Sequence, residues 1–200
     1  MDPQKHLAFR SESQRVPYTF LYPADWQVRE TVEEERAKVF IIGPRDQEDT
    51  FSVGFTVRIW PASAQMPEAA MYDLLSRFSQ MPGFRETGRG SELVAGRPAV
   101  EVEFAYDALL PLNSRNPQKK TIRHRHIFLK DNDTLVELIY VAPDEMYDTW
   151  LSDFHTLVHS FRRVKEYDDA KFHSLIGTSE AAVVREATAD YEAETGSNCE

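Results

Sequence analysis

The nine residues Tyr18-Thr-Phe-Leu-Tyr-Pro-Ala-Asp-Trp26 constrain this chain more than any other stretch. An aromatic-rich extended segment runs into a Pro-Ala-Asp turn and closes on tryptophan, which is the chemistry of a core strand leading into a tight reversal. Such a pattern speaks for architecture and carries no reactive group. Two distant segments have the same character: Gly96-Arg-Pro-Ala-Val-Glu-Val-Glu-Phe104 and Asp153-Phe-His-Thr-Leu-Val-His-Ser-Phe161.

Between these anchors the periodicity alternates between two and 3.6. Val16–Tyr22 reads as a strand, with Trp26 and Val28 extended after the turn, and Lys38–Ile42 is a short apolar strand ended by Gly43-Pro44. Phe51, Val53, Phe55, Val57 and Ile59 alternate with Ser52, Gly54, Thr56, Arg58 and Trp60, the pattern of a half-buried strand. Pro67 suits the first position of a helix whose stripe is Ala70, Met71, Leu74, Leu75 and Phe78, and Pro82-Gly83 stops it. Period two returns at Ala99–Tyr106, Ile122–Leu129 and Leu135–Val141, which read as an antiparallel meander. Pro143 then opens a second helix carrying Tyr147, Trp150, Leu151, Phe154, Leu157, Val158 and Phe161. These elements predict an α+β domain over residues 16–164. Residues 1–15 read as a polar N-terminal arm. Residues 165–200 read as an acidic C-terminal extension, partly helical over Ser179–Ala189.

Charge narrows the function. Residues 166–200 hold nine acids against Lys171 and Arg185, a net of −7 out of −10 for all 200 residues. The compact part is near balance, which argues against general nucleic-acid binding. The single cysteine, Cys199, excludes an internal disulfide and a closed cysteine metal site. No apolar run reaches the roughly 18 residues of a membrane span, and Met1–His6 lacks the apolar core of a signal peptide. With Met1 as the native start, the expectation is a cytoplasmic protein, or one at the cytoplasmic face of a membrane. If a leader has been removed, it is periplasmic or lumenal.

The order of these elements, with Tyr22-Pro-Ala-Asp-Trp26, the Gly96-Arg-Pro-Ala99 strand and a last helix ending Val158-His-Ser-Phe161, resembles the PsbP-like superfamily over roughly Val16–Val164. That resemblance implies a central antiparallel sheet with helices on both faces. It also implies that Trp26 and Phe161 are core residues and that Gly96 sits in the turn before a central strand. The same fold serves photosystem II extrinsic subunits, a nuclear-import factor, DcrB-type lipoproteins and chaperones of type VI secretion effectors. This chain has no lipobox cysteine at its start.

Candidate chemistry is sparse. His124 and His126 would project from one strand face about 6 to 7 Å apart and could bridge a metal, but no third ligand has diagnostic spacing. The plainer reading is a hydrogen-bonded pair at a sheet rim. Arg123 and Arg125, on the opposite face, are placed for a charge ladder with Glu101 and Glu103. No acid occurs between Asp107 and Asp131, so Arg115, Lys119 and Lys120 are not all expected to find local partners and form, with Arg123 and Arg125, a candidate partner-binding surface. Trp60 is an interface anchor if it faces solvent, and a packing residue if a helix covers it. No nucleophile elbow or phosphate-binding glycine loop is present, and no cofactor is expected.

The sequence therefore points to a non-catalytic interaction protein, an accessory subunit or assembly factor of a larger, membrane-associated complex. The alternatives are a cytosolic chaperone shielding apolar segments of a client, and a metal-binding protein using His124 and His126.

Overall fold

The structure, a computed structural model, describes residues 5–164 apart from 12, 14, 34, 35, 62–64, 112 and 113. Ten strands and two helices follow one another within this range. They are β1 (His6–Arg10), β2 (Tyr18–Pro23), β3 (Gln27–Val32), β4 (Ala37–Arg45), β5 (Ser52–Pro61), α1 (Pro67–Phe78), β6 (Arg85–Val94), β7 (Arg97–Leu110), β8 (Gln118–Asp131), β9 (Thr134–Pro143), α2 (Asp144–Ser160) and β10 (Arg162–Arg163). Seven strands form one antiparallel sheet in the order β3-β4-β5-β9-β8-β7-β6, and β1-β2-β10 form a second, smaller one.

The two helices lie on opposite faces of the large sheet. Side chains alternate across each strand, so Val53, Phe55, Val57 and Ile59 of β5 join Val136, Leu138 and Tyr140 of β9 under α2. Val102 and Phe104 of β7, Phe128 of β8 and Leu135 of β9 lie under Ala70, Met71, Leu74 and Leu75 of α1. Because both faces are covered, β9 is buried along nearly its whole length and reads as continuous rather than alternating hydrophobicity. This is the α+β architecture expected from the resemblance.

The small sheet closes the far side of α2. Tyr18 and Phe20 stack on Phe161, just beyond the helix, and Phe9 stacks on Phe20. Ser160 Oγ accepts the Leu21 backbone N–H at 2.8 Å and itself donates to the Thr156 carbonyl at 2.7 Å, so one hydroxyl ties the helix end to β2. The Val164 N–H donates to the Pro17 carbonyl at 2.7 Å, fixing the end of the described chain beside the start of β2. Trp26 and Phe161 are buried, as the resemblance implied.

Several boundaries differ from the sequence reading. His6–Arg10, expected in the arm, pair with β2 as β1. Arg85–Val94 form a further strand, β6, whose polar, glycine-containing sequence fits an exposed sheet edge rather than a core strand. Gly43-Pro44 does not end β4 but lies in a bulge between Ile42 and Arg45. A Cβ on Gly43 would sit 2.5–2.7 Å from the Trp26 ring, so only glycine lets the indole pack there. The Ala95-Gly96 turn has φ of 51° and 75°, the left-handed pair that a two-residue hairpin between Val94 and Arg97 requires. The helix expected over Ser179–Ala189 falls outside the described residues.

Candidate interaction groove

Ion pairs account for most of the expected basic surface. Lys119 Nζ is 2.8 Å from Asp107. Lys120 Nζ lies 2.5 Å from Asp46 and also binds Glu48 and Glu145, with its side chain only 9% exposed. Burial works against the Lys120 charge, but this ring of carboxylates outweighs it and holds the ammonium above its ordinary value. Arg123 reaches Asp148 at 3.3 Å and lies over the Tyr147 ring. Arg125 pairs with Glu101 at 2.8 Å and Glu103 at 3.3 Å, the ladder expected from alternation. Lys119 is thus met by Asp107 of the neighbouring strand β7, and Lys120 by acids that the β4–β5 connection and the start of α2 bring from elsewhere in the sequence. Arg115 stays exposed in the β7–β8 connection.

His124 and His126 do share a face, but deep under α1 rather than at a rim. Glu137 Oε1 accepts from His126 Nδ1 at 2.6 Å, and His126 Nε2 is 3.1 Å from His124 Nδ1. Arg58 Nη1 donates to the other Glu137 oxygen at 3.3 Å. Burial would raise the Glu137 carboxyl, but His126 and Arg58 outweigh it and hold the group below its ordinary range. Burial holds His124 well below its ordinary value, with His126 and Arg58 adding to the effect. Its ring stacks on Phe104 and touches Phe78 and Tyr106. The nitrogens facing each other are spent on one another, so the pair is a buried relay from Arg58 through Glu137 to His124.

Trp60 leads to a feature the sequence reading missed. It is half-buried beside α1 and lines a groove of about 670 Å³ between that helix and strands β4 and β5. Arg36, Lys38, Arg58 and Arg77 also line it, against Asp73 and Glu137. Lys38 and Arg58 are directly opposed in the β4–β5 register, a like-charge pairing that costs stability unless an anion compensates. Glu137, opposite Arg58 on β9, gives one oxygen to Arg58 and the other to His126, so it compensates Arg58 only in part. Asp73 receives Gln65 Nε2 at 2.6 Å. The alternation of β5 placed Arg58 and Trp60 on one face in the sequence; what it lacked was the register that sets Lys38 beside them.

A smaller groove of about 270 Å³ shares Arg36, Ala37, Ile59 and Trp60 with the first and extends it to Arg15, Pro17, Asp133 and Arg163, the last paired with Asp131. The result is one cationic trough with an indole at its centre, running from α1 to the end of the described chain. Its long flexible cations suit carboxylates on an extended segment.

No family model and no curated protein matches the chain. Among solved structures, LpqN of Mycobacterium tuberculosis, involved in cell envelope biogenesis, superposes with a TM-score of 0.52 at 14% identity, covering 78% of this chain and 88% of LpqN. The chain has the PsbP-like fold. Cyanobacterial PsbP from Synechocystis sp. PCC 6803 is similar at a TM-score of 0.49 and 13% identity, over 80% of this chain and 93% of that one. The Saccharomyces cerevisiae Ran-binding protein Mog1p is similar at 0.49 and 12%, over 80% and 96%. Within this fold the larger groove lies on the α1 face, away from the α2 face where Arg123 and Arg125 are neutralised.

Proposed function

We propose that this chain is a non-catalytic interaction protein that holds an acidic segment of a partner protein in the trough beside Trp60. The observation that carries the reading is the opposed pair Lys38 and Arg58, flanked by Arg36 and Arg77, with a half-buried indole between cations. Glu137 already answers Arg58 in part, and an arriving carboxylate beside Lys38 relieves the repulsion further, while the indole supplies apolar area of the kind that anchors binding hot spots. Support for a non-catalytic role comes from the polar groups that might have reacted: His126 is spent on Glu137 and His124, His124 is buried among aromatic rings, and Ser160 Oγ ties α2 to β2.

The finer reading is an accessory subunit or assembly factor of a membrane-associated complex. Its support is the shared fold with LpqN, a protein involved in cell envelope biogenesis. No helix among the described residues is long and apolar enough to cross a membrane.

The test is affinity capture from the native cell with the double variant Arg36→Glu, Lys38→Glu beside Arg115→Glu. The expected result is loss of the captured partner with the double variant and retention with Arg115→Glu. Retention with the double variant and loss with Arg115→Glu would move the contact to the β7–β8 connection and sink the groove.

A further inference from the structure

We infer that the chain carries its own occupant for this trough, the acidic segment 166–200, which docks there when no partner is bound. The inference rests on the groove reading above and adds its regulation. Three observations converge. The described chain ends at Val164, pinned to Pro17, and both Pro17 and Arg163 line the smaller groove that opens into the larger one through Arg36 and Trp60. The following segment has the complementary charge, nine acids against two bases. Its acids are interleaved with apolar residues, Leu175-Ile176 and Val183-Val184, which suits a site whose cations surround an indole.

Reach is sufficient. The fifteen residues from Val164 to Ser179 span at most about 50 Å when extended, more than the diameter of a small domain. Lys38, opposed to Arg58 across β4–β5, then gains a carboxylate neighbour within the same molecule, and Arg58 a second one beside Glu137. A partner segment must displace the chain's own, so the acidic extension sets the threshold for capture.

The single cysteine makes the test direct. In full-length protein carrying Cys199→Ser and Ser179→Cys, a nitroxide is attached to the one thiol, and amide and indole resonances are followed by NMR. Docking broadens Arg36, Lys38, Arg58 and the Trp60 indole at low salt. The broadening vanishes at 1 M salt, where screening acts over about 3 Å, and in the Arg36→Glu, Lys38→Glu variant. A second measurement titrates full-length protein with a fluorescent peptide of alternating glutamate and leucine. Neutralising Glu166, Asp168 and Asp169 to their amides tightens peptide binding about tenfold if the extension competes.

Uniform or absent broadening, together with unchanged peptide affinity, overturns self-docking. If that happens while partner capture still depends on Arg36 and Lys38, the partner reading stands alone. If the groove resonances broaden but capture ignores those cations, the groove serves only the chain itself and the partner reading falls.

Discussion

His124 shows how a single side chain can set the response of the whole fold to acid. It is neutral and buried between Phe104, Phe78 and Tyr106, with its ring held well below the ordinary value of 6.5. In the unfolded chain it takes up a proton near that ordinary value, while in the fold it does not. As pH falls below 6.5 the unfolded state therefore binds the extra proton, and stability declines by about 1.4 kcal/mol per pH unit from this group. Above that pH its contribution is complete. His124→Phe is expected to flatten the slope between pH 6.5 and 5, even though it costs the hydrogen bond to His126; urea unfolding across that range measures it. Glu137 acts in the same direction at lower pH. Its carboxyl is held below the ordinary range, so its stabilisation is present above the unfolded value and is lost as pH falls through the folded one. Glu137→Gln strips Arg58 and His126 of their anion and is expected to cost about 3 kcal/mol at pH 7, read from the same urea transitions.

At the scale of elements, what the sequence disclosed and what it hid have physical reasons. β5 and β7, together with both helices, were legible because one buried face imposes a period, and β9 because a short apolar run between turns marks a strand buried on both faces. Pro67 and Pro143 marked their helix starts. β6 was not legible: as an edge strand it needs no apolar face, and its glycines read as loop. β4 was read short because Gly43-Pro44 looks like a stop, whereas the glycine is there to admit Trp26. Gly43→Ala is expected to push the indole off Phe55 and Trp150, to cost about 1–3 kcal/mol and to shift tryptophan fluorescence to the red. The lysines that open β8 also separate cleanly. Lys119→Glu touches one exposed pair and leaves the melting temperature close to that of the parent. Lys120→Glu sets a fourth carboxylate among Asp46, Glu48 and Glu145, and a fall of several degrees in thermal melting is expected. Equal melting of the two variants would show that the ring of acids does not depend on its ammonium.

On the scale of the whole molecule, Asp131 joins the two sheets. It is the last residue of β8 in the large sheet and is almost fully buried, accepting the Tyr18 hydroxyl at 2.7 Å from β2. It pairs with Arg97 at 2.9 Å and with Arg163 of β10 at 3.5 Å. Asp131→Ala leaves two guanidiniums and a phenol short of an anion. We expect a loss of about 3 kcal/mol, with hydrogen exchange accelerating first in Tyr18–Pro23 while β8 and β9 stay protected. The candidate groove was the least legible part of the molecule, because it depends on which strands become neighbours: Lys38 and Arg58 are twenty residues apart, and Arg77 comes from a helix. The same long-range pairing consumed the basic run that looked unpaired in one dimension. The hydrogen bond from Val164 to Pro17 has a consequence for behaviour in a crowded cell. It anchors residues 165–200 at one point on a rigid body, so any contact they make with the trough is intramolecular, at a local concentration on the order of millimolar. Diluting the protein leaves that competition unchanged. If the extension docks as proposed, an external segment succeeds only by its own abundance and affinity, and occupancy of the groove follows the level of that segment and not the level of the protein itself.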